Sequence, residues 1–84
     1  MSSNYEFALS GEAARFLLGS PARVRARAED IFDALASNPF VAGDFTERGP
    51  SGRVYQVKVY GDLIVTYWAE HAVREIRIVR CEVV

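Results

Sequence analysis

The chain has almost none of the residues that cross-link a fold or chelate a metal. Its 84 residues include one cysteine, Cys81, and one histidine, His71. A lone cysteine has no internal disulfide partner, and one Cys with one His falls short of a structural zinc set. No glycine-rich phosphate loop is present either, so neither a metal nor a cofactor is expected. Long apolar runs are missing too. The longest uncharged apolar stretch, residues 63–69, is far shorter than the roughly 20 residues that cross a bilayer. Residues 1–4 are polar and lack the basic-then-apolar pattern of a secretory signal. These absences point to a cytoplasmic protein with no membrane partner.

Charge of one sign is also not in excess. Ten Lys and Arg face eleven Asp and Glu, for a net charge of −1 and a pI near 5.7. Strong non-specific nucleic-acid affinity comes from neutralising phosphates, so here it requires a local patch. Nine of the ten cations are arginine, the residue suited to bidentate phosphate contacts. Half the residues are apolar and a quarter charged, an ordinary globular mixture forming one domain over residues 1–84. A chain this short buries only roughly 60% of its unfolded surface, which favours a stabilising partner.

Residues 5–9 alternate and predict a short first strand. Ser10 then stands as an N-cap, with Glu12 in the first turn complementing the helix dipole. A helix over 11–18 ends at Gly19. Ser20 and Pro21 restart a helix, serine as cap and proline at the first helical position. That helix, 21–36, carries Val24, Ala28, Ile31, Phe32 and Leu35 as one apolar stripe. Arg25 and Glu29 form an i,i+4 pair on its polar side, and Asn38-Pro39 ends it.

A further strand is expected around 44–48. Residues 53–60 alternate, with Tyr55, Val57 and Val59 on one side and Gln56 and Lys58 on the other. Gly61-Asp62 marks a turn, 63–69 a strand, Glu70-His71 a second turn and 73–84 a last strand. The fold class is therefore α+β: a short N-terminal strand, an αα-hairpin, then a three- to four-stranded antiparallel sheet. Helices precede this sheet and none follows, which leaves one of its faces free.

Spacing alone assembles no catalytic constellation. His71 has the pKa range of a general acid or base but sits in a predicted turn, where an exposed histidine is ordinary. Arg53 and Lys58 project from a half-solvated strand, as surface cations usually do. On a regular last strand Arg77 points opposite to Arg74 and Arg80, so the three share a site only if a bulge intervenes. Arg23 and Arg27 share a helix face that reads as solvated. Tyr67 and Trp68 fall on opposite faces of one strand, one for the core and the other at a sheet edge or binding surface. Glu47 and Arg48 sit in a loop or edge strand, and a single carboxylate there decides nothing.

Four pieces of the chain together carry a resemblance: Leu35-Ala36-Ser37-Asn38-Pro39, then residues 54–59, 64–67 and 76–79. In order and spacing, nearly the whole chain resembles toxins of the RelE/ParE superfamily, from bacterial type II toxin–antitoxin systems. The resemblance implies that the open sheet face carries the activity. It also implies that a cognate antitoxin wraps the toxin in a hetero-oligomer and neutralises it. RelE-like members cleave messenger RNA in the ribosome, and ParE-like members inhibit DNA gyrase.

The expected function is translation inhibition by ribosome-associated mRNA cleavage. The alternatives are gyrase inhibition, or an attenuated, non-toxic interaction module of the same fold. Carried over to this sequence, the resemblance assigns Lys58, Arg80 and His71 to catalysis, and Arg53, Gln56 and Arg77 to RNA or target contacts. The chain departs from the pattern at three places. Gln56 replaces one of two strand lysines, Ile64 stands where a recurrent arginine precedes the strand tyrosine, and Glu82-Val83-Val84 closes the chain without a catalytic group.

Overall fold

The computed structural model describes residues 5–84. The polar segment 1–4, read above as lacking a signal pattern, lies outside the described residues. Seven elements follow in order: β1 (Glu6–Leu9), α1 (Gly11–Leu18), α2 (Ala22–Ser37), β2 (Phe45–Arg48), β3 (Val54–Tyr60), β4 (Leu63–Glu70) and β5 (Glu75–Val83). The strands form one sheet in the order β1-β5-β4-β3-β2. β1 runs parallel to β5, and every other neighbour pair is antiparallel. The sheet thus has five strands, because the N-terminal strand joins the same sheet as the C-terminal meander.

Both helices begin where the sequence punctuates them, but by different means. Ser10 caps α1 as expected: its Oγ accepts from the Ala13 amide at 3.0 Å. The same hydroxyl donates to the Val79 carbonyl at 2.6 Å, tying the cap to β5. Ser20 does not cap α2. Its hydroxyl donates backward to the Phe16 carbonyl at 2.6 Å, closing the end of α1, and Pro21 occupies the N-cap position with no side-chain bond. Arg25 likewise leaves Glu29 and donates to the Ser20 carbonyl at 2.7 Å. An exposed i,i+4 pair contributes only tenths of a kcal/mol, so a nearby helix-end carbonyl competes well.

The apolar stripe of α2 buries Ala28, Ile31, Phe32 and Leu35 against the sheet. Ala13 and Leu17 of α1 join them, over Leu63, Val65, Tyr67, Ile76 and Ile78. Phe32 is fully buried, and its ring lies 5.3 Å from that of Phe7 on β1. Burying such a side chain stabilises by about 1.5–3 kcal/mol. Arg27 of α2 pins the β3–β4 turn through Asp62, at 2.6 Å, and the Tyr60 carbonyl. Gly61 in that turn has φ +67, a conformation other residues adopt only with strain.

Two irregularities in β5 set the geometry of the open face. The loop before it occupies residues 71–74, and Arg74 at its end has φ 56. Arg74 therefore belongs to the loop, and the last strand begins at Glu75 rather than at residue 73. Farther along, Tyr67 pairs with Ile78 while Thr66 pairs with Arg80, so Val79 is an extra residue on β5. This bulge shifts the alternation by one.

Candidate functional site

The helices cover β1, β5 and β4 on one side of the sheet only. Directly opposed residues of neighbouring strands share a face, so the register identifies what the helix-free face carries. On β4 it carries Ile64, Thr66 and Trp68, since Leu63, Val65 and Tyr67 are in the core beneath the helices. On β5 it carries Glu75, Arg77, Arg80 and Glu82, the bulge bringing Arg77 and Arg80 to the same side. On β3 and β2 it carries Val57, Val59 and Phe45. Tyr55 and its partner Glu47 follow from the same alternation.

Arg80 crosses this face. Its Nη2 lies 2.7 Å from Glu47 Oε1, although β4 and β3 separate their strands. Its Nε donates to Glu82 Oε2 at 3.0 Å. Thr66 and Val57 lie between, and both are buried, at 0% and 4% exposure, on a face that no helix covers. The Arg80–Glu47 bridge is what shields them, the arginine stem acting as cover while its head stays wet. Burial works against the charge of Arg80, but the hydrogen bonds with Glu47 and Glu82 outweigh it and raise its pKa above the ordinary value. Under the bridge, the Thr66 hydroxyl has no hydrogen-bond partner.

A second group lies beside the first. The Arg53 guanidinium sits 3.7 Å over the Trp68 ring and that of Arg77 at 5.7 Å, both within cation–π range. Arg77 also pairs with Glu75 at 3.0 Å. A cleft of about 330 Å³ opens here, bordered by Arg53, Tyr55, Trp68 and Arg77. Among the described residues, Glu6, Glu47, Glu70, Glu75 and Glu82 face Arg53, Arg77 and Arg80 on this side of the sheet. Carboxylates outnumber guanidiniums by five to three.

The remaining candidates lie elsewhere. Gln56 pairs with Tyr67 and Lys58 with Val65, which places both on the helix side of the sheet, opposite Arg80. Lys58 Nζ lies 5.7 Å from the Tyr60 ring, and Gln56 Oε1 accepts from the Gly43 amide at 2.9 Å. Beyond the end of α2 a groove of about 1000 Å³ runs past Phe40, Gln56, Tyr67 and His71. The His71 ring stacks on Phe40 at 4.9 Å, and its Nδ1 is 2.6 Å from the Tyr5 hydroxyl. Tyr67 donates to the Val41 carbonyl at 3.2 Å, and burial pushes its pKa to about 12.

The expected catalytic trio of Lys58, Arg80 and His71 therefore does not converge. Instead the structure gathers Arg53, Arg77 and Arg80 on one face, with Gln56 on the other. It adds residues that sequence reasoning had left aside, above all Glu47 and Thr66. Alternation within β2 puts Glu47 on the same face as Phe45. No sequence signal gives the register joining it to Arg80. Among the described residues, no three His, Cys, Asp or Glu side chains are grouped to hold a metal ion. Among the described residues, no helix is long and apolar enough to cross a membrane.

No protein-family model matches the chain, and no curated protein matches it. Solved structures do. A chain of the toxin–antitoxin complex RelBE2 from Mycobacterium tuberculosis superposes with a TM-score of 0.78 at 18% identity, over 95% of this chain and 98% of that one. A chain of the archaeal RelE–RelB complex from Pyrococcus horikoshii gives 0.71 at 17% identity, over 94% and 93%. The architecture is the RelE-like α+β fold.

Proposed function

We propose that this chain is the toxin component of a type II toxin–antitoxin pair, active in the cytoplasm and held inactive in a hetero-oligomer with its antitoxin. Its activity is inhibition of translation by cutting ribosome-associated messenger RNA on the helix-free face. The observation that carries this reading is the Glu47–Arg80 pair at 2.7 Å on the open face of a RelE-like sheet. The likeness to chains from solved toxin–antitoxin complexes supports the antitoxin partner.

Cleavage of this type needs a base for the 2′-hydroxyl and positive charge for the phosphorane. Glu47 supplies a carboxylate oxygen to take the 2′-hydroxyl proton as that oxygen bonds to phosphorus. Arg80 neutralises the charge that builds up on the phosphorane oxygens. Arg53 and Arg77 hold neighbouring phosphates. The P–O5′ bond then breaks, and water at this open face protonates the departing 5′-oxygen. Lys58, Gln56 and His71 lie outside this step.

Purified protein added to translating ribosomes should cut the bound message, and Arg80→Ala should lower the rate by about two orders of magnitude. Intact message in that assay would sink the proposal, and inhibition of supercoiling by gyrase would replace it. One observation favours an attenuated toxin that retains antitoxin binding. Arg80 is already neutralised by two carboxylates on a face with more acids than bases. Normal growth after induction without antitoxin is the outcome specific to that reading.

A further inference from the structure

Three features meet at Arg80 that a purely structural ion pair does not explain. The guanidinium has two carboxylate partners where one suffices, Glu47 on Nη2 and Glu82 on Nε. Glu82 is half-exposed and only two residues away on the same strand face. Directly beneath, Thr66 is fully buried with a hydroxyl that meets no partner. A buried, unpartnered hydroxyl costs about 1–3 kcal/mol, a cost that a valine of the same shape would not carry.

We infer that Arg80 and Thr66 form a subsite for one phosphate of the RNA backbone, and that Glu82 holds it shut as a built-in competitor. The assignment of RNA as the ligand rests on the reading given under Proposed function. A phosphate offers acceptor oxygens both for the Nε edge of the guanidinium, which Glu82 now occupies, and for the Thr66 hydroxyl, which has none. When Glu82 swings into solvent, the phosphate takes its place on Nε. Arg80 shifts enough to open Thr66, whose hydroxyl then donates to a second phosphate oxygen. Glu47 keeps its place on Nη2 throughout.

The test uses the intact protein without ribosomes. The Arg80 Nε–H resonance is followed by NMR while a 2′-O-methyl oligoribonucleotide, which cannot be cut, is titrated in, with inorganic phosphate as a second probe. In the wild type the resonance should shift only at high probe concentration. Glu82→Gln should tighten binding about fivefold, the value of removing an exposed ion pair. Adding Thr66→Val in that background should weaken binding about tenfold, the loss of one hydrogen bond to a charged group.

Equal affinity in the wild type and Glu82→Gln overturns the lock, and an unchanged affinity on adding Thr66→Val overturns the subsite. Response to phosphate but not to the oligonucleotide overturns the RNA assignment. Tighter oligonucleotide binding in Glu82→Gln with no cleavage on ribosomes leaves the subsite standing and removes the proposed activity instead.

Discussion

Glu47 and Arg80 are 33 positions apart in the chain and lie on strands with two others between them, yet their side chains meet at 2.7 Å. The bridge they form covers Thr66 and Val57, doing for the helix-free face what a helix does for the other. Arg80→Ala should therefore cost about 1–2 kcal/mol, since it uncovers buried residues as well as breaking an ion pair. Glu47→Gln should cost under about 1 kcal/mol, as half-exposed pairs do. Urea unfolding of both variants gives the comparison. Equal losses would show that the arginine stem covers nothing.

Thr66→Val should stabilise the protein. It removes a buried hydroxyl without a partner and keeps the side-chain shape. A gain of about 1 kcal/mol corresponds to about 4–8 °C in Tm for a chain of this size. A lower Tm by calorimetry would mean that the hydroxyl is satisfied in the folded protein.

Trp68 is the single tryptophan, so its emission reports on the cations above it. Arg53, at 3.7 Å, should perturb the indole far more than Arg77 at 5.7 Å. Arg53→Ala is expected to change the intensity or wavelength of emission and to cost about 0.5–1 kcal/mol. Arg77→Ala should change the emission less. The reverse order would contradict the stacking.

Cys81 is buried, and burial first, then the charge of Glu82, pushes its thiol to about 12. The folded protein should resist alkylation by iodoacetamide at pH 8 and react fully in denaturant. Because the folded value lies above the ordinary thiol value of 9.0, the unfolded thiol ionises first as pH rises. Stability from this group is complete below about pH 9 and is lost between about 9 and 12. Tyr67 shifts in the same direction, also to about 12. Denaturant midpoints at pH 7 and pH 11 test the sign.

Ser10 and Ser20 look alike in the sequence, each before a helix, but only Ser10 is a cap. Ser10→Ala should cost about 1 kcal/mol or more, losing the bond from Ala13 and the bond to Val79. Ser20→Ala removes a single bond to a helix-end carbonyl and should cost less. Thermal melts of the two variants decide it.

Local periodicity fixed the elements of this protein. The 3.6-residue stripe of Val24, Ala28, Ile31, Phe32 and Leu35 defines α2, two-residue alternation defines β3, and a short β-branched and aromatic run between turns defines β4, because all three patterns depend on neighbours within one segment. Alternation says that Gln56 and Lys58 share a face and that Tyr55, Val57 and Val59 share the other. It does not say which face the helices cover, since a hairpin register is settled between segments. Tertiary structure settled it against appearances. The apolar side of β3 lies on the helix-free face, where Arg80 and Glu47 bury Val57, and Lys58 lies on the helix side. The bulge at Val79 then reversed the parity of β5 and put Arg77 and Arg80 together. One extra residue in a strand leaves no mark in composition or period, yet it decides which cations share a face.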